Sequence, residues 1–165
     1  MTGERYFRLY HSLYGVETVC LRYFNVYGPR QRANSPYSGV ISIFSRNILD
    51  GKPSTIYGDG LQTRDFVYVP DVVRANFLAA SGGKEIVGRV FNIGTGLATS
   101  IKNLALLLGT PAEALVYGPP RLGDIRESVA DPSLSKNVLG FQAEVTLEEG
   151  LDRYLDWYRA EIEKP

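Results

Sequence analysis

Two arginines, a tyrosine and an asparagine are the residues of this chain whose types and settings could do chemistry. Arg64 stands in Tyr57-Gly-Asp-Gly-Leu-Gln-Thr-Arg-Asp-Phe-Val-Tyr-Val and Arg121 in Pro119-Pro-Arg-Leu-Gly-Asp, each where a strand gives way to a loop. A guanidinium holds phosphate oxygens through two parallel hydrogen bonds, and a pair of guanidinia neutralises a diphosphate. Each arginine alone has an ordinary alternative, solvation or pairing with a nearby acid such as Asp65 or Asp124. Asn25, closing Arg22-Tyr-Phe-Asn, carries amide donors and an acceptor that suit a hydroxyl or phosphate, or equally a turn. Tyr57 offers its ring to a base, or to core and turn packing.

Other chemistries find little support. His11 is the single histidine, and its helix brings no serine, cysteine or metal ligand to it, so an exposed helical histidine is expected, with no catalytic and no metal-binding residue assigned. There is no Cys-x-x-Cys pair, Walker-type loop or Gly-x-Gly-x-x-Gly fingerprint. Asn92-Ile-Gly-Thr-Gly comes nearest to one, and two glycines after a strand read as a tight turn. Lysine plus arginine balances aspartate plus glutamate at 18 each, so no global field draws the chain to nucleic acid or an anionic membrane. Cys20 lies in an apolar run and reads as a small buried thiol of a reducing compartment. With no signal-peptide pattern or membrane span, a soluble, cytoplasmic chain is expected.

The elements that must position these residues alternate. Residues 3–14 put Tyr6, Leu9, Tyr10 and Leu13 at helical spacing, with Gly15 as a C-cap. Residues 18–27 read as one buried strand ending at Gly28-Pro29. A polar loop, 30–38, leads to a helix over 40–49. Strands are expected at 54–57 and 64–69, a helix from Pro70-Asp71 to Gly82-Gly83, a strand at 90–93, a helix at 101–108 and a strand at 114–117. A loop over 118–124, a short helix near 133–139 and an amphipathic helix from about 147 to 162 complete the chain. Short alternating strands and helices mean an α/β architecture, and no linker or repeat divides the chain.

The motifs Arg22-Tyr-Phe-Asn-Val-Tyr-Gly-Pro-Arg, Ser35-Pro-Tyr-Ser-Gly-Val-Ile, Ile56-Tyr-Gly-Asp-Gly, Thr63-Arg-Asp-Phe-Val-Tyr-Val-x-Asp71, Phe91-Asn-Ile-Gly-Thr-Gly and Arg121-x-Gly-Asp follow one another in this order. The series resembles the extended short-chain dehydrogenases, in their NAD-dependent epimerase/dehydratase branch, and most closely UDP-glucose 4-epimerases. The resemblance covers essentially the whole chain. It implies the C-terminal part of a Rossmann-type protein: its last Rossmann strand and helix, then a mixed α/β substrate-binding domain.

That resemblance implies that residues 1–165 form a single substrate-binding region and that the N-terminal dinucleotide-binding part is absent. The family's Tyr-x-x-x-Lys signature would fall before Met1, and no such pattern occurs in the sequence. By resemblance Phe24 lies near the nicotinamide and Asn25 contacts the sugar or its phosphate. Gly39 and Val40 offer backbone groups, Thr55 and Tyr57 embrace the uracil, Arg64 and Arg121 grip the diphosphate, and Asp124 binds the ribose. NAD would serve the complete enzyme, with little affinity for this chain alone. The expected ligand is a UDP-sugar, and the complete enzyme is expected to be a homodimer. Alternatives are another branch of the family (a dehydratase, a decarboxylase or an N-acetylhexosamine 4-epimerase) or a non-catalytic UDP-sugar-binding module. Strand 18–27, uncovered, would present an apolar edge, so poor solubility is expected of the isolated chain.

Overall fold

The computed structural model describes residues 2–31 and 39–162. Helix α1 (Thr2–Tyr14) ends where Gly15 adopts a left-handed conformation and its amide donates to the His11 carbonyl. The expected single strand that follows is two short ones, β1 (Cys20–Tyr23) and β2 (Asn25–Tyr27). Their partners differ: β1 runs parallel to β6 (Val90–Ile93), and β2 runs parallel to β5 (Phe66–Tyr68). Phe24 is the hand-over, its amide donating to the Ile93 carbonyl while that of Asn25 donates to the Asp65 carbonyl. Apolar periodicity could not reveal this break, because both halves are apolar and the change is one of neighbour.

Helix α2 (Val40–Leu49) follows, then β3 (Thr55–Tyr57), β4 (Thr63–Arg64) and β5. The strand expected over 64–69 is thus divided at Asp65, and helix α3 (Val69–Ser81) starts one residue before Pro70, where proline's missing N–H costs nothing. After β6 come β7 (Thr99–Ser100), α4 (Ile101–Leu107), β8 (Val116–Gly118) and β9 (Glu127–Ser128). The short helix expected near 133–139 is present, with Ser135–Leu139 wound as a π-helix closed by left-handed Gly140, and α5 (Leu147–Ile162) ends the described chain. β3 pairs with β8 in parallel, and β4 lies between β7, antiparallel, and β9, parallel.

The core has two centres. One packs Phe44, Ile56, Phe66, Leu104 and Tyr154 between α2, α4 and α5. The other packs Val67, Val72, Phe91, Ile93 and Phe141 around β5, β6 and α3. Asp65 and Asp71 join the layers around them. Asp65 is fully buried and accepts hydrogen bonds from the amides of Thr95 (2.8 Å), Gly96 (2.9 Å) and Ala130 (3.1 Å) and from the Thr95 hydroxyl (2.7 Å). Asp71 accepts from the amides of Glu144 and Val145 and from Arg74. Asp65, between β4 and β5, therefore fastens two loops to the sheet, and Asp71 fastens the 144–145 segment to α3.

Candidate functional site

Pleat geometry orients the first wall. In β3 the alternation sends Ile56 into the core and turns Thr55 and Tyr57 to the opposite face. Gly118, opposite Tyr57 in β8, keeps that face open: a Cβ there would sit 3.2 Å from Thr55 Cγ2 and 3.3 Å from Tyr57 Cδ1. The second wall is the start of α2, where Gly39 is the N-cap in extended conformation and Val40 the first helical residue. Amides of a helix's first turn have no partner within the helix, so this end favours acceptors and anions.

Asn25, Val40, Thr55, Tyr57, Arg64, Arg121 and Asp124 line one cleft of about 250 Å³, together with Ile43, Phe44, Gln62 and Ile101. Gly39 adjoins it as the residue before Val40. Phe24 is half-buried at the junction of β1 and β2 and does not line this cleft. A second cavity, of about 630 Å³, continues past Tyr57, Gln62, Arg121 and Asp124 to Asp59 and Arg126.

Within the cleft the charged groups are engaged with one another. Arg64 Nη2 donates to Asp124 Oδ1 at 2.6 Å, and its Nη1 donates to the carbonyls of Thr63 at 2.8 Å and Ile125 at 2.6 Å. Of the two acids that could have paired with Arg64, the partner is Asp124. The guanidinium of Arg121 lies 3.8 Å from the centre of the Tyr57 ring, a cation–π contact. Arg126 forks onto Asp59 at 2.7 and 2.9 Å, which holds the Asp59 carboxyl below its usual range.

Gln62 escaped the sequence reading. It is 8% exposed and lines both cavities, and its Nε2 donates to the Tyr57 carbonyl at 2.9 Å and to Asp124 Oδ2 at 3.3 Å. A lone glutamine between Leu61 and Thr63 gave no signal of this in the sequence.

One other expectation changes and one holds. His11 is half-buried rather than exposed, with Nδ1 3.0 Å from the Val16 carbonyl and its ring against Gly88. The Gly94-Thr95-Gly96 turn is a tight turn, with left-handed Gly96, and two of its amides are spent on Asp65. A Cβ on Gly94 would come within 2.6 Å of Asp65 Oδ2, so glycine is required for this approach. Cys20 is a free, half-buried thiol, its ionisation pushed up by burial. Among the described residues no group of three or more His, Cys, Asp or Glu could hold a metal ion, and no helix is long and apolar enough to cross a membrane.

Parallel strand pairs with helices between them, and a cleft at strand ends, define an α/β protein of Rossmann type. The sequence pattern of the NAD dependent epimerase/dehydratase family matches residues 1–94, and the chain belongs to that family. It is 40% identical to the UDP-glucose 4-epimerase of Mycolicibacterium smegmatis over 163 residues, covering 96% of this chain and 51% of that protein. The Thermotoga maritima UDP-glucose 4-epimerase, solved with UDP-glucose, superposes with a TM-score of 0.91 at 42% identity, over 98% of this chain and 52% of that one. The UDP-N-acetylglucosamine 4-epimerase of Methanobrevibacter ruminantium, solved with UDP-N-acetylmuramic acid, gives 0.88 at 38% identity, over 97% and 52%. The chain spans about half the length of the relatives it matches.

Proposed function

We propose that residues 1–165 are the sugar-nucleotide-holding region of a UDP-hexose 4-epimerase that interconverts UDP-glucose and UDP-galactose. The observation that carries this reading is the convergence, in one cleft, of residues far apart in sequence whose chemistries match the parts of a UDP-sugar. Arg64 and Arg121 supply charge for the diphosphate, Thr55 and Tyr57 a shelf for the uracil, and Asp124 an acceptor for the ribose. Asn25 and the amides at Gly39 and Val40 suit the hexose hydroxyls and the adjoining phosphate.

NAD, when bound, supplies the hydride acceptor for a transient oxidation at carbon 4. Of the residues described, Phe24 is the one we assign to its nicotinamide side, and the glycine turn after β6 does not fit its phosphates because Asp65 already occupies the turn's amides. This chain's part is orientation: it clamps the nucleotide so that the hexose reaches past Asn25 toward Phe24. The free thiol of Cys20 suits a cytoplasmic setting.

Titration of the isotope-labelled chain with UDP-glucose, followed by two-dimensional amide NMR, tests the reading. Saturable shifts concentrated at residues 39–40, 55–64 and 118–126 are expected. A dispersed spectrum unmoved by millimolar ligand would overturn it.

A further inference from the structure

We infer that Gln62 is a positioning residue that makes the cleft select a ribonucleotide over a deoxyribonucleotide, by fixing Asp124 as a double acceptor for a vicinal diol. The inference rests on the sugar-nucleotide reading above and concerns which nucleotide that cleft takes. A primary amide has two N–H bonds, and both in Gln62 are committed, one to the Tyr57 carbonyl and one to Asp124 Oδ2. The amide thereby ties the base shelf on β3 to the acid in the loop before β9, and its near-complete burial restricts any other arrangement.

Asp124 is held at both oxygens. Oδ1 takes the Arg64 guanidinium and Oδ2 takes Gln62, while Arg64 is itself tied to the carbonyls of Thr63 and Ile125. A carboxylate has about four acceptor directions, so each oxygen keeps one free, and Asp124 lines both cavities. Two acceptors on one rigid group match two neighbouring hydroxyl donors. They repel phosphate oxygens, and a sugar lacking a hydroxyl leaves one of them unanswered. Without the amide donor, Oδ2 is free to turn onto the Arg64 guanidinium in a bidentate pair, the geometry that arginine and carboxylate prefer. Both oxygens would then be spent within the protein. Gln62 keeps that pair monodentate and the diol acceptors available.

The test measures dissociation constants of the 165-residue chain for UDP, 2′-deoxy-UDP and 2′,3′-dideoxy-UDP by ligand-detected NMR. In the wild type, loss of each hydroxyl is expected to weaken binding roughly tenfold, the scale of a hydrogen bond to a charged group. Gln62→Met, of similar length but without a donor, and Gln62→Glu, of similar shape, should both bring the UDP to dideoxy-UDP ratio toward one, with amide spectra confirming the fold. Gln62→Met should add no further loss of discrimination to Asp124→Asn, since the glutamine acts through the acid. If either variant weakens all three ligands equally, or keeps the wild-type ratio, Gln62 has no such role although the sugar-nucleotide reading stands. A wild type that binds UDP and dideoxy-UDP equally also rejects the inference, and one that binds none of the three rejects both.

Discussion

The guanidinium of Arg121 rests on the ring of Tyr57, the residue proposed as the shelf for the uracil. A uracil that stacks on that same face displaces it, and the diphosphate is the anion that would receive it. Arg121→Ala is thus expected to act in opposite directions on two ligands: UDP should bind about ten- to a hundredfold more weakly for want of a charge-assisted hydrogen bond, while uridine, which has no phosphate, should bind as well or better. Calorimetric titration with both ligands checks this, and parallel losses would mean that the stacking does not compete with the base. Asp65 raises a different matter, because its value is structural. Asp65→Ala would leave the amides of Thr95, Gly96 and Ala130 without their acceptor, and at ~1 kcal/mol or more for each buried donor a loss of about 3 kcal/mol is expected in urea unfolding. The cleft was legible from the sequence as far as its motifs reached: Arg64, Arg121, Tyr57 and Asn25 stand out by type and by position at strand ends. Gln62 did not, because one glutamine between a leucine and a threonine carries no signal until its burial and its two partners are seen. Nor could residue type and spacing alone divide the acids near Arg64 by role. Asp65 and Asp124 are the same side chain, and their surroundings make one a fastener of loops and the other a wall of the cleft.

Helix α5 shows how a neighbouring element overrides local preference. Gly150 sits inside this helix, where alanine would ordinarily be favoured by about 1 kcal/mol. A Cβ there would lie 2.0 Å from the hydroxyl of buried Tyr27, which donates to the Leu147 carbonyl. Overpacking of this kind costs ~1–3 kcal/mol, so Gly150→Ala is expected to lower the melting temperature in spite of its helix propensity. The same helix buries Tyr154, whose phenol burial pushes up to about 12, and burial likewise raises Tyr27 and Tyr68. A folded-state value above the unfolded one, about 10 for tyrosine, favours the fold while the phenol keeps its proton. That contribution is complete below about pH 10 and declines as the pH rises toward about 12. Tyrosine ionisation followed by ultraviolet absorbance should therefore coincide with loss of the fold on the alkaline side, and Tyr154→Phe should shift that loss to higher pH. Long periodic elements such as α1, α2, α3 and α5 were readable from apolar spacing, since one face of each carries the pattern. The two-residue strands β7 and β9 were not, because they exist only through their pairing with β4. The break at Phe24 is of the same kind, a property of which strands lie beside it.

At the scale of the whole molecule, α1 stands apart from both core centres. None of its side chains is buried, and Tyr6, Tyr10 and Leu13, on its apolar face, are 60, 51 and 63% exposed. It is joined to the sheet chiefly by polar links: Glu4 to Arg22, the Phe7 carbonyl to Thr18 and His11 to the Val16 carbonyl. Among the described residues β1 pairs only with β6, which leaves its other edge without a strand. Burying half of each exposed aromatic or leucine side chain contributes about 1 kcal/mol, and a two-fold contact counts each residue twice. That gain falls near the low end of the ~4–15 kcal/mol cost of association, with the open strand edge able to add backbone hydrogen bonds. Concentration-dependent self-association of the 165-residue chain is therefore expected, measurable by sedimentation velocity over roughly two decades of micromolar concentration. Tyr6→Lys with Leu13→Glu removes apolar area without touching either core, so this double variant should move the distribution toward monomer while leaving the thermal unfolding midpoint near that of the wild type. A wild type that sediments as one sharp monomer throughout would mean that water tolerates this helix face as it stands, and that the open β1 edge is too short to recruit a second chain.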